Sequence, residues 1–306
     1  MKEISLEFEV LPKFLPLWEL IDPRYFILMG GRGAGRSTAA SQYATSKLPA
    51  EEYFRCAIMR EIHHDIRHSI WKEIMDSIDE QDAREAFHIT ENDMNIEYGK
   101  NSIQAHGFKT GSGSQTAKLK SFANYNTVLI EEAEEVGEDE FRTLDDTLRT
   151  IMGRIRLIIN LNPPPKNHWI IRKFFDLEES PEHGFYIPHA KPDSNLVHIG
   201  GNYRDNIANM DKNTVLRYQH YKETNPAYYW NMIEGLVPDS VRGKIYHGWE
   251  QVEEIPKDAR FLGIGVDWGW YPDPMSSAAA YYQNGIYYLD EVAHGTEVED
   301  EVLAGA

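Results

Sequence analysis

Two groups of residues in this 306-residue chain have the types and spacing to act on a phosphorylated ligand. The first is Gly30-Gly31-Arg32-Gly33-Ala34-Gly35-Arg36-Ser37-Thr38. Glycines let backbone N–H groups converge on an anion, a helix starting just beyond them adds partial positive charge, and a hydroxyl such as that of Ser37 can reach a magnesium ion. The pattern G-x-x-x-x-G-K-[ST] is met at Gly30, Gly35 and Ser37, with Arg36 where lysine is expected. The second group is Glu131-Glu132, which closes the apolar run Asn126–Ile130 and opens the acidic stretch AEEVGEDEF. One carboxylate at a strand tip can hold a hydrated magnesium ion while its neighbour orients or deprotonates the attacking water. We assign Glu131 to the metal and Glu132 to the water. Each signal alone has a plainer explanation, since a tight βα turn needs glycine and glutamates suit a helix start. Together, roughly 95 residues apart in one α/β segment, they point to magnesium-dependent nucleotide hydrolysis.

The elements that must position these groups are legible in outline. A short apolar strand, Tyr25 to Met29, runs straight into the glycines, and a helix begins at Arg36-Ser37-Thr38. Tyr53 to Met59 reads as a buried strand leading into Arg60, and residues 66–78 as a helix with Ile66, Ile70, Ile74 and Ile78 on one face. Residues 87–108 read as a β-hairpin turning at Gly99-Lys100-Asn101, followed by a polar loop over 111–121. Arg149 closes a helical segment, and a further strand over Ile155–Asn160 leads to Leu161-Asn162-Pro163-Pro164-Pro165. A polar side chain at the carboxyl end of such a strand is placed to sense a γ-phosphate, a role open to Asn160 or Asn162. This order implies an α/β P-loop fold of the RecA/ASCE type, with a mostly parallel sheet and flanking helices. Phe14, Leu15, Trp18 and Tyr25 can stack on an adenine base, although plain core packing is the favoured reading. His63, His64 and His68 lack the spacing of a metal site and read as exposed histidines.

Length allows one large or two ordinary domains. No apolar run approaches a membrane span, the N-terminus lacks a signal-peptide core, and the single cysteine, Cys56, rules out an intrachain disulfide. The net charge of −18, from 31 basic and 49 acidic residues, argues against a protein that coats nucleic acid, but not against local grips. Lys118 and Lys120, and then Arg154, Arg156, Lys166, Arg172 and Lys173, are two candidate clusters for such grips; solvated surface is the equal alternative.

In order and spacing, these motifs resemble the large terminase subunit of tailed phages, the ATPase that packages double-stranded DNA into procapsids. GGRGAGRST is similar to that family's P-loop, VLIEEAEEV to its Walker B motif, and NLNPPPKNHWI to its coupling motif. IMREIHHDIRHSIWKEI and HIGGNYRDNIANM resemble its flanking segments, and GLVPDSVRGKIYHGWE its run into a nuclease domain. GIGVDWGWYPDPMSSAAAYYQNGIYYLDEV resembles the first strands of that RNase H-like domain. The resemblance implies that Gly30 to Thr38 bind ATP, Ser37 and Glu131 serve Mg2+, Glu132 activates water, and Asn162 couples the γ-phosphate to movement. It also implies an arginine acting in trans across a subunit ring, for which Arg149 is the candidate with Arg154 behind it; Arg32 could act from within the subunit. Asp267 resembles the first carboxylate of a two-ion nuclease site. The domains expected are 1–235 for the ATPase, 236–257 for a linker and 258–306 for an incomplete nuclease domain. Implied partners are duplex DNA, the portal protein and the small terminase subunit, in the host cytoplasm and with no membrane.

Two features depart from the family's pattern. Arg36 carries the charge of the usual lysine on a larger, planar group. The sequence ends at Ala306, shortly after the second nuclease strand, so the expectation is a chain without nuclease activity. Two alternatives remain at this level: a remnant that binds nucleotide without hydrolysing it, and some other P-loop ATPase acting on nucleic acid.

Overall fold

The computed structural model describes residues 4–109, 120–192, 194–239, 252–268 and 275–295. The polar loop over 111–121 and the linker over 236–257 lie largely outside the described residues. Contacts divide the chain into two units, Met1–Gly243 and Lys244–Ala306.

In the first unit the strands are β1 (Tyr25–Met29), β2 (Arg55–Ile62), β3 (His88–Thr90), β4 (Asn95–Tyr98), β5 (Asn101–Lys109), β6 (Thr127–Ile130), β7 (Arg156–Leu161), β8 (Phe175–Glu179), β9 (Phe185–Ala190), β10 (Leu196–His198) and β11 (Val237–Pro238). Eight of them form one sheet in the order β10-β1-β7-β6-β2-β5-β4-β3, parallel from β10 to β5 and antiparallel beyond. The parallel strands are short continuous apolar runs because helices cover both faces. Along β1, Phe26 and Leu28 face one layer, where Ala40, Tyr43 and Leu48 of the helix Arg36–Ala50 pack with Ile70, Ile74 and Ile78. Ile27 and Met29 face the other layer, with Phe141, Leu144, Trp169 and Phe174. The alternation is the period of two expected of a strand. A smaller sheet, β11-β9-β8, sits beside this layer.

Several elements differ from the sequence expectation. The helix over 66–78 is two pieces, a 3-10 turn His63–His68 and an α-helix Ile70–Glu80, broken at Ser69 with ψ −110°; the isoleucine stripe is buried across both. The single hairpin is a pair of hairpins, because β5 runs on past the Gly99-Lys100 turn to join β2 in parallel. The helix expected to close at Arg149 spans Glu138–Thr147, leaving Arg149 in the following irregular segment. Strand β10 pairs through only three residues and gave no period to read.

The second unit is an antiparallel meander of β12 (Arg260–Asp267), β13 (Met275–Gln283) and β14 (Ile286–Gly295). Asn284 and Gly285 have φ of 49° and 88°, the positive values of a two-residue hairpin turn. Asp290 and Glu291 lie inside β14. Phe261, Ile264, Ile286 and Leu289 are exposed. Among the described residues, no helix is long and apolar enough to cross a membrane.

Candidate nucleotide site

The site forms at the carboxyl ends of β1, β7, β6 and β2. The loop after β1 turns at Gly33 and Gly35, with φ of 77° and 83°, where a side chain would be strained. Gly30 and Gly31 serve a different purpose. A Cβ on Gly30 would collide with the Gly201 carbonyl, and one on Gly31 with the Ile233 carbonyl. The neighbouring N–H groups show why: Gly31 donates to Gly201 O and Arg32 to Met232 O, each at 2.7 Å. The loop is thus bound from behind by two later segments, and its donors toward a ligand are those farther along. Arg36, Ser37 and Thr38 open the helix, and their N–H groups have no intrahelical acceptor.

A cleft of about 330 Å3 is lined by Arg32 to Thr38 and Asn206. It shares Gly35, Thr38 and Asn206 with a second cleft of about 380 Å3, lined also by Leu11, Phe14, Gln42 and Asn209. Core packing, the reading favoured from the sequence over stacking on a base, is what Trp18 and Tyr25 show, and Phe14 is itself fully buried although it edges a cleft. Trp18 packs edge-on to Tyr43 at 5.3 Å and donates to Ser46 Oγ, and Tyr25 donates to Asp145 at 2.6 Å.

Behind the first cleft three side chains converge. Ser37 Oγ donates to Glu131 Oε1 at 2.7 Å, while Asn160 Nδ2 donates to Glu131 Oε2 at 2.9 Å and to Ser37 Oγ at 3.0 Å. Sheet order explains the meeting. β7 lies between β1 and β6, its Asn160 sits opposite Leu28 of β1, and Ile159 sits opposite Ile130 of β6. Glu131 is 8% exposed, and burial pushes its carboxyl above the usual range. Asn160 Oδ1 is buried without a hydrogen-bond partner among the described residues. A hydroxyl, a carboxylate and a partnerless amide oxygen are hard oxygen donors, the set that suits a hydrated magnesium ion.

Glu132 has φ 52° and ψ 48°, a left-handed conformation uncommon for a residue with a side chain. Its carboxylate pairs with Arg60, two residues before the end of β2, which also lies 3.7 Å from Glu135. Asn162 is a bridge: its Oδ1 accepts from Arg36 at 2.9 Å and its Nδ2 donates to Glu134 at 2.8 Å. Burial raises the Glu134 carboxyl and lowers the Arg36 guanidinium from their ordinary values. Both asparagines weighed from the sequence lie at the site, with different partners. Sequence reasoning missed Arg60 and Glu134. The signal for Arg60 was a cation closing an apolar strand; Glu134 was hidden in a run that reads as a helix start.

Other residues are not brought together. Arg149 is exposed, lines neither cleft and has no hydrogen bond or ion pair among the described residues. Arg154 donates to Leu20 O at 3.1 Å. The second cationic cluster is not one free patch: Arg156 is 2% exposed and ion-paired with Glu51, Lys166 pairs with Asp239, and Arg172 with Glu138 at 3.4 Å. Of the three histidines, His64 and His68 are exposed. Asp267 ends β12 opposite Ser276, which faces His294, while Asp290 lies three rows away opposite Ala279. Among the described residues, no group of three or more His, Cys, Asp or Glu could hold a metal ion.

A family model described as phage terminase large subunit matches residues 22–236. The PBSX phage terminase large subunit of Bacillus subtilis (strain 168) is 27% identical over 176 residues, which are 57% of this chain and 38% of that protein. The chain thus spans well under half the length of this curated relative. Among solved structures, a large terminase from a thermophilic bacteriophage aligns with a TM-score of 0.58 at 15% identity, over 92% of this chain and 68% of that one. The same protein in complex with ADP aligns at 0.57 and 16% identity, again over 92% and 68%. The HK97 bacteriophage large terminase aligns at 0.54 and 10% identity, over 94% and 64%. At these identities the structures speak for the fold.

Proposed function

The chain belongs to the phage terminase large subunit family, and we propose that its first unit hydrolyses ATP to drive double-stranded DNA into procapsids. The observation that carries this reading is the contact of Ser37, Glu131 and Asn160 at the start of the P-loop helix. Within the loop Gly30 to Thr38, the backbone from Gly33 to Thr38 cradles the phosphates, and the cleft lined by Phe14 and Gln42 takes the base. Ser37 and Glu131 are the residues that would hold Mg2+, which when bound would supply positive charge against the phosphates. Glu132 orients the attacking water, and its pairing with Arg60 governs when that carboxylate is free to do so. Asn162, at the tip of β7, senses the γ-phosphate through the loop it touches. Arg149, exposed and unpaired among the described residues, is suited to reach a neighbouring subunit's nucleotide in a ring. Asp267 is proposed as the first carboxylate of a separate nuclease site. Portal protein, small terminase subunit and duplex DNA are the proposed partners, in the host cytoplasm.

A second reading, a nucleotide-binding module without hydrolysis, draws on Arg36, whose guanidinium is engaged by the protein itself. One experiment separates the two. Steady-state ATP hydrolysis is measured at high protein concentration, with and without duplex DNA, for wild type and Glu132→Gln. Concentration matters because an arginine supplied in trans is missing from dilute monomer. The motor reading expects DNA-stimulated turnover that is lost in the variant. Equal background rates in both proteins, with nucleotide still bound, would establish the second reading.

A further inference from the structure

We propose that Asn206 is a positioning residue that latches the Gly33–Ala34 peptide, so that the loop presents an N–H and not a carbonyl oxygen to the phosphates. The inference rests on the nucleotide reading above. Asn206 belongs to the 3-10 segment Tyr203–Asn209, which lies against the loop. A Cβ on Gly33 would sit 3.0 Å from Met210 Cε and 3.2 Å from Tyr203 Cβ, and Gly31 donates to Gly201 O just before the segment. Asn206 itself is half-buried and borders both clefts, and its Nδ2 donates to Gly33 O at 3.0 Å. Its backbone, with φ −123° and ψ 18°, interrupts the 3-10 segment at the point of contact.

In a trans peptide the carbonyl and the following N–H point in opposite directions. Holding Gly33 O against Asn206 therefore aims the Ala34 N–H the other way. The N–H groups of Gly33, Ala34 and Gly35 meet no acceptor among the described residues, and successive free N–H groups in such a turn make an anion-binding concavity. Gly33, at φ 77°, has the backbone freedom to let its peptide rotate. A half-turn would exchange the donor for an oxygen facing phosphate oxygens. The latch removes that alternative.

The orientation of the latch is set from both ends. Gly33 O can only accept, so Asn206 places Nδ2 there and its Oδ1 on the other side, where Asn209 Nδ2 donates to it at 2.9 Å. The base of the segment is fixed by Asp205, which accepts from Asn202 N at 2.9 Å in a capping box and pairs with Lys13 of the turn Pro12–Phe14. Pro12 and Phe14 line the second cleft, so the latch is braced by that cleft's own wall.

The test is calorimetric binding of Mg–ADP and of Mg–pyrophosphate to the full chain, with ATP kinetics. Asn206→Ala should weaken both ligands by about three- to tenfold, the range of one hydrogen bond. It should raise KM with kcat held, because the ground and transition states lose the same donor. Asn209→Ala reaches the latch without touching the loop, so the assignment stays testable if Asn206→Ala folds poorly. It should weaken both ligands by about two- to threefold, and the double variant should match Asn206→Ala, because Asn209 acts through Asn206. Labelling Gly at the carbonyl carbon and Ala at nitrogen isolates the Gly33-Ala34 peptide in NMR spectra, since Gly-Ala occurs besides at Gly305-Ala306. The Ala34 signal should shift when wild type binds pyrophosphate, and should broaden or double in ligand-free Asn206→Ala. Loss of ADP with pyrophosphate binding intact would make Asn206 a nucleoside contact and overturn the latch. Unchanged binding of both ligands, or an Ala34 signal indifferent to Asn206→Ala, would overturn it too. A wild type that binds neither ligand would overturn the nucleotide reading itself, and this inference with it.

Discussion

Replacing Glu131 by glutamine should stabilise the fold while disabling the site. Glu131 is nearly buried, accepts from Ser37 and Asn160, and forms no ion pair among the described residues. Burial is the first cause raising its carboxyl above the ordinary 4.5, ahead of the opposing hydrogen bonds and the charge of Arg36. Glutamine keeps the shape and one acceptor oxygen for Ser37. Its amide can donate to Asn160 Oδ1 once that amide flips, which moves Nδ2 into the partnerless position, so the exchange gains no hydrogen bond and the gain comes from the lost charge alone. Removing a desolvated charge on these terms is worth about 1–2 kcal/mol. For a unit of this size each kcal/mol moves the melting temperature by about 2–4 °C, so a rise of roughly 2–8 °C is expected. The sign with pH follows from the raised folded value. The wild type carries the penalty at neutral pH, and it vanishes as pH falls through the folded pKa toward 4.5, so the gap between the proteins closes in acid. The assay is calorimetric melting in magnesium-free buffer from pH 8 to 4.5, paired with ATP turnover, which should fall about 100-fold or more. A wild type that melts higher at pH 8, or a gap indifferent to pH, would refute the reasoning.

Other consequences are open to direct measurement. Glu51→Ala strips the buried Arg156 of its carboxylate and leaves it with Tyr43 and Thr127, at a cost of about 3 kcal/mol in denaturant unfolding. Gly31→Ala drives a Cβ into the Ile233 carbonyl and should abolish Mg–ADP binding, whereas Gly265→Ala, with open space around it, should change unfolding by less than about 0.5 kcal/mol. Arg149→Ala should leave melting and ADP affinity unchanged but reduce ATP turnover at high protein concentration by about 1,000-fold; undiminished turnover would remove it as the trans arginine.

Much of the fold was legible because its parallel strands are short apolar runs with punctuation at their ends. Tyr25–Met29 was read with its observed bounds, and the runs at β2, β6 and β7 were located to within two residues at their starts. What failed was whatever depended on partners distant in sequence. Nothing local in Leu196–His198 reveals that β1 will take it as a neighbour. Nothing in FHITENDMNIEYGK shows that the strand after the Gly99-Lys100 turn will leave its hairpin for β2. The helix over 66–78 was a case of a correct apolar stripe on a broken backbone, since Ile66 and Ile70 stay on the same side of a kink at Ser69.

The site divides along the same line, with a mechanistic consequence. Residue types announced Ser37, Glu131 and Glu132, because their chemistry is local to a glycine turn and a strand tip. Which partner each would meet was set by strand order. Because β7 lies between β1 and β6, a residue of β7 must fall between the P-loop hydroxyl and the metal carboxylate, and Asn160 does; two residues on, Asn162 falls under Arg36. The same order puts Arg60 of β2 beside Glu132 at the end of β6. An arginine in the lysine position therefore looks like a damaged motif in one dimension, and in three it is the residue long enough to join the loop to β7. Its departure from the pattern and its contact with Asn162 are one fact.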